Sequence, residues 1–188
     1  MSKFNKGILI ISHPDDECLF STSILESIST LIFCYNKVPN EQEISLSREK
    51  AINSYPLEHL KIVSLDIDQA KKSFWPINWL NVKEKKSGLE GGYIANKYDR
   101  NYLQILDKLR EIIPKNSLII SHNPWGEYGH SEHVQVFKAV FQISKETNSR
   151  LFVSGYVSNL SKNFAKSKLH LLSNEIFSSF LFYQPSLF

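Results

Sequence analysis

Two short stretches carry most of the chemistry this sequence can do. His13-Pro14-Asp15-Asp16-Glu17 sets one imidazole and three carboxylates within five residues. Neighbouring aspartates in a tight turn diverge, so one of Asp15 and Asp16 can bind a metal while the other faces the water beside it. Pro14 stiffens the turn and keeps His13 extended. Helix capping by an aspartate accounts for one of these acids, but not for a histidine and two aspartates in four residues. The second stretch is Asn123-Pro124-Trp125-Gly126-Glu127-Tyr128-Gly129-His130-Ser131-Glu132-His133. His130 and His133 share one face of a helix start. A His-x-x-His alone is often only helix surface. Converging with His13 and Asp16, it makes a zinc site, since catalytic zinc takes three N/O ligands and keeps one position for water.

These stretches must be brought together by the elements around them. Gly7–Ser12 is a continuous apolar run suited to a strand covered on both faces. Cys18–Ser29 has helical spacing, and Thr30–Tyr35 reads as a second buried strand. Glu41–Ser54 is a helix, Leu60–Leu65 a third strand and Asn96–Ile113 the longest helix, stopped by Pro114. Ser117–Ser121 is a fourth strand, Ser131–Thr147 another helix, and Leu151–Val153 starts a fifth strand. This alternation predicts an α/β fold, a parallel sheet with helices on both faces. Both motifs then fall just after strands, where open parallel sheets bind ligands. The stretch Asp66–Gly92, with Trp75, Trp79 and the lysines Lys83, Lys85 and Lys86, reads as a long loop, either solvated or covering a substrate. Ile176–Phe188 is apolar and reads as an edge or core strand. The functional alternative is an oligomer interface or a surface for a lipid-linked substrate.

The pair HPDDE (His13–Glu17) and YGHSEH (Tyr128–His133) resembles the signature of the PIG-L/LmbE-like zinc N-deacetylases. The stretch around Arg48, Glu49 and Ala51 is similar, less specifically, to that family's second helix. The resemblance implies a single LmbE-like domain over 1–188, a Rossmann-like three-layer sandwich with a mostly parallel sheet. It implies removal of an acetyl group from an N-acetylglucosamine-type sugar or its conjugate, nucleotide-linked or lipid-linked forms included. His13, Asp16 and His133 match the family's zinc ligands, and Asp15 its general base. His130 matches the residue that stabilises or protonates the tetrahedral intermediate, Tyr128 a tyrosine that polarises the acetyl carbonyl, and Arg48 a substrate-binding arginine. Ser131 and Glu132 depart from the family's usual Pro and Asp. The longer Glu132 side chain is expected to alter how a carboxylate tunes His130. Ferrous iron is an alternative to zinc at such ligands.

Other residues near the motifs read more plainly. His122, at the end of the fourth strand, could be a spare ligand but is expected to be structural, and His59 and His170 are expected to lie on the surface. Glu127 reads as a solvated loop acid. Trp125, like Trp75 and Trp79, could stack on a sugar face, with packing as the default.

Composition narrows the alternatives. With 188 residues, 42% hydrophobic and 22% charged, the chain is of ordinary globular type, which excludes disordered, collagenous and disulfide-scaffold classes. A net charge of +3 with only four arginines argues against nucleic acid as a partner. Few arginines near the motifs also argue against phosphoester chemistry. Cys18 and Cys34 are expected to be reduced and buried. Without a signal peptide or transmembrane segment, the expected location is cytoplasmic. The apolar C-terminal stretch makes a homo-oligomer an expectation to test. A metal hydrolase of another ester or amide, or a non-catalytic sugar-binding relic, are the competing readings.

Overall fold

The computed structural model describes residues 6–70, 83–89 and 95–172. Five strands form one sheet: β1 (Gly7–Ile11), β2 (Ile28–Lys37), β3 (Lys61–Asp68), β6 (Leu118–Ser121) and β7 (Arg150–Val153). Their order is β3-β2-β1-β6-β7, and all four pairings are parallel. A separate antiparallel hairpin joins β4 (Glu84–Lys85) to β5 (Gly88–Leu89). The α/β class is therefore as the sequence predicts.

Every residue of β1 is buried because both faces of the sheet are covered. Ile8 and Ile10 join a core with Ile105, Leu106 and Leu109 of α3 (Ala95–Ile112) and Val136 and Val140 of α4 (Ser131–Glu146). Leu9 and Ile11 face the other way, onto Ile24, Leu25 and Leu60, with Ile52 of α2 (Gln42–Asn53) packed against them. The second layer is thinner, since α2 buries no residue fully. The continuous apolar run of β1 is thus a consequence of its central place: a strand between two helical layers has no wet face to mark with polar residues.

Three expected elements differ. The single helix expected over Cys18–Ser29 is instead a five-residue α1 (Asp16–Phe20) followed by a 3₁₀ turn, Thr22–Ser27. The break falls in the run Ser21-Thr22-Ser23, where the Thr22 hydroxyl donates to the Cys18 carbonyl and competes with the helical backbone. β2 also begins at Ile28, where the sequence reads helix. The long loop expected from Asp66 is shortened at its start, because β3 continues to Asp68. Residues 83–89 are docked on α4: Gln135 Nε2 donates to the Ser87 carbonyl at 2.9 Å, and Lys138 Nζ to that of Lys85 at 2.7 Å. Trp75, Trp79 and the stretch Ile176–Phe188 lie outside the described residues. Cys34 is buried as expected, but Cys18 is exposed, and both are free thiols. No described helix is long and apolar enough to cross a membrane.

Candidate metal centre

In the sheet β1 and β6 are neighbours, and the chain leaves them toward opposite edges. That is a topological switch point, where a crevice opens at the strands' carboxyl ends. The register pairs Leu9 with Ile120 and Ile10 with Ser121, so the residues after both strands emerge side by side. Ser12 N–H donates to His122 Nε2 at 2.9 Å across this junction. Two motifs more than a hundred residues apart in the chain meet there because two central strands pair in parallel.

After β1 the chain turns sharply. The backbone N–H groups of Asp15 and Asp16 both donate to the His13 carbonyl. Asp16 folds inward and is 2% exposed, with Oδ2 accepting the His13 N–H at 2.7 Å. Asp15 points outward and is exposed. The two acids diverge as the turn requires. Asp15 stands at the N-cap of α1, yet its side chain makes no capping hydrogen bond.

After β6 the loop is closed by Asn123, whose Oδ1 accepts the N–H groups of Trp125 and Glu127 at 3.3 and 2.8 Å. Gly126 adopts φ +65, and a Cβ there would lie 2.5 Å from the His130 carbonyl oxygen. Only glycine lets the chain pass so close beneath His130. The Glu127 that follows, at φ 56, is driven into the interior and is fully buried. One oxygen of Glu127, Oε2, lies 3.0 Å from His122 Nδ1 and 2.9 Å from His133 Nδ1, while Oε1 accepts Asn123 N–H at 3.1 Å. The expectation of a solvated loop acid is corrected: the tight Gly126–Gly129 turn leaves this side chain no route to water.

Glu127 therefore sets the histidine tautomers. It takes the Nδ1 protons of His122 and His133, so each ring presents an unprotonated Nε2 to the cluster. The His122 lone pair is used by Ser12 N–H. His133 Nε2 is buried without a hydrogen-bond partner and faces Asp16 Oδ1 at 3.2 Å. His13 Nδ1 lies 3.3 Å from Asp16 Oδ2, and its Nε2 is 2.8 Å from Glu132 Oε2. A tetrahedron with bonds of ~2.0–2.1 Å has edges of about 3.3 Å, so this spacing fits a small cation. Three groups of donor atoms lie within 4.8 Å of one another: His13/His130/His133, Asp16/His122/His133 and His13/Asp15/Asp16. Each pair drawn from His13, Asp16 and His133 occurs in one of these groups. Buried His and Asp side chains that could hold a metal ion are thus assembled at the switch point.

The charges agree with this. Burial pushes the Asp16 carboxyl up, but His133 and His13 beside it prevail and hold it well below the ordinary carboxylate range. Burial likewise opposes ionisation of Glu127, and its two histidines bring it down to about 2. For His13 burial lowers the pKa, and the carboxylates of Asp16 and Glu132 outweigh it and raise the ring to about 9. This pocket holds positive charge on a ring with carboxylates on two sides. A metal ion would take the proton's place there.

Glu132 makes its carboxylate hydrogen bonds beyond the His130 ring. Its longer side chain reaches past that ring to His13, to Gln69 Nε2 at 2.7 Å and to the Ala70 N–H at 3.1 Å. Only its backbone N–H donates to His130 Nδ1, at 3.3 Å, where His130 caps α4. His130 is held neutral: burial, with the His133 and His13 rings beside it, depresses its pKa well below the usual value. With Nδ1 accepting, its proton sits on Nε2. Tyr128 is half-buried, its ring 5.4 Å from that of His133. Burial, then Asp16 and Glu127, push its phenol up, so it stays protonated. Arg48, half-buried on α2, donates from Nη1 to Gln69 Oε1 at 3.2 Å, and Gln69 in turn contacts His13 and Glu132. Gln69 gave no signal in sequence, since it lies just past β3, far from either motif. His122 is 1% exposed; its Nε2 accepts from Ser12 N–H, and with Asp16 and His133 it forms one of the three donor groups. His59 and His170 are exposed, as expected.

Trp125 is corrected as a substrate-binding residue. It is 1% exposed in the main core, with its indole N–H donating to the Tyr156 carbonyl at 2.7 Å. No face of the ring is open to a sugar. Trp125→Ala is expected to destabilise the fold by about 3–5 kcal/mol, read by chemical denaturation. A loss below about 1 kcal/mol would contradict this packing role.

No protein-family model matches the chain. It is 26% identical over 151 residues to an uncharacterized protein of Acanthamoeba polyphaga mimivirus, an alignment covering 73% of this chain and 57% of that protein. The chain thus spans a little over half the length of the relative it matches, and the likeness names no reaction.

Proposed function

We propose that the protein is a metal-dependent hydrolase that removes the acetyl group from an N-acetylglucosamine-type amino sugar or its conjugate. The observation that carries this reading is His133 Nε2: a buried, unpartnered lone pair, fixed in tautomer by Glu127 and aimed at Asp16 beside His13. His13, Asp16 and His133 would hold the ion, zinc or ferrous iron, both of which suit N/O donors. When bound, the ion supplies Lewis acidity to a water and to the amide carbonyl. Asp15, exposed at the mouth, accepts the proton of the attacking water. His130 donates from Nε2, and Tyr128 from its phenol, to the oxygen on which negative charge develops. Asp15, once protonated, returns its proton to the leaving amine. Arg48, beside Pro14 in a groove of about 400 Å³, would contact the sugar.

The test is acetate release from N-acetylglucosamine and its glycosides. Release is expected with the metal-loaded protein, loss on chelation, and recovery on adding Zn2+ or Fe2+. Metal-loaded protein that releases acetate from none of them would end the deacetylase reading. Release that persists unchanged in chelator would end the metal-dependent one.

A further inference from the structure

A second feature adjoins the cluster. A cleft of about 660 Å³ opens beside it, lined by Cys18, Leu19, Phe20, Tyr128, Tyr156 and several small or hydroxyl-bearing neighbours. That volume falls in the range of small-molecule sites. Among the described residues, no Lys, Arg, Asp or Glu lines it. It is continuous with the cluster through one ring: Phe20 lies 5.8 Å from His133, 6.0 Å from Tyr128 and 5.4 Å from Tyr156. Leu19, which lines the cleft, is 65% exposed. A single exposed leucine is ordinary, but beside Phe20 and the rings of Tyr128 and Tyr156 it extends one apolar lining.

From this lining we infer that the cleft receives an uncharged, apolar group carried by the substrate next to the reacting amide. The inference rests on the deacetylase reading and names its substrate class: an N-acetylglucosaminide with a hydrophobic, non-ionic aglycone. A phosphate or nucleotide would need guanidinium or ammonium partners, which the described residues of this lining do not supply, and would lie close to the carboxylates of Asp15 and Asp16.

The experiment compares methyl, butyl and hexyl β-N-acetylglucosaminides with N-acetylglucosamine 1-phosphate, using the metal-loaded full chain. KM is expected to fall about two- to fourfold per methylene seated, with kcat little changed, and the phosphate to be the poorest substrate. Leu19→Glu and Ser23→Glu, both at exposed positions, should flatten the dependence of KM on chain length. Equal KM for methyl and hexyl glycosides, or preference for the phosphate, overturns the inference. Binding of hexyl β-glucoside, which has no acetyl group, is measured alongside by calorimetry. Binding that is lost in Leu19→Glu supports the cleft even if no acetate is released, whereas no binding overturns it. Failure of the cleft and failure of the reaction are thus read separately.

Discussion

Asp15→Asn is expected to lower acetate release by about 10²–10⁴-fold, the contribution typical of a positioned general base, while metal content stays at the wild-type level. The two aspartates make this separation possible. Asp16 is buried against His13 and His133, and removing its charge would remove a proposed ligand. Asp15 is exposed, and one of its oxygens lies within 4.8 Å of donor atoms on His13 and Asp16. Its side chain does no capping work for α1, so the isosteric amide leaves the local fold intact. What the amide lacks is a basic lone pair to receive a proton. Metal analysis and turnover on the same sample provide the check. Wild-type turnover by Asp15→Asn would show that another group takes the proton.

Glu127→Gln is expected to weaken metal binding about 10–100-fold without touching a ligand. The glutamate accepts on one oxygen from two imidazoles, and on the other from a backbone N–H. A glutamine can keep the backbone contact with its carbonyl oxygen. Its NH2 group must then face the Nδ1 protons of His122 and His133, two donors meeting a third. One ring has to change tautomer or turn. If it is His133, Nε2 acquires the proton and loses its lone pair. Competition with a chelating dye would measure the affinity, and denaturation would report the cost of disturbing a buried network. Unchanged affinity would mean that the His133 tautomer is held by something other than Glu127.

Much of this architecture was legible in the residues alone. The unbroken apolar run of β1, the stripe of α3 and the alternation of runs and helices determined a parallel α/β sheet, because strands buried on both faces and helices buried on one leave different periodicities. The two motifs were legible as well, since a turn after a central strand has few reasons to hold a histidine and two aspartates. Local pattern failed where the backbone had near-equal choices. The serines and threonine after Phe20 ended α1 early, and β2 began where helical spacing was still readable. The pairing of β1 with β6 was decided only in three dimensions, and it is what brings Asp16 to His133. The same holds for every supporting contact: Glu127 turned inward by a glycine turn, Glu132 reaching to His13 and not His130, Gln69 arriving from the end of β3, and Trp125 sealed in the core. Those partners come from strands and loops far apart in the chain, and a side chain's direction at a loop is set by what packs around it, which no local spacing records.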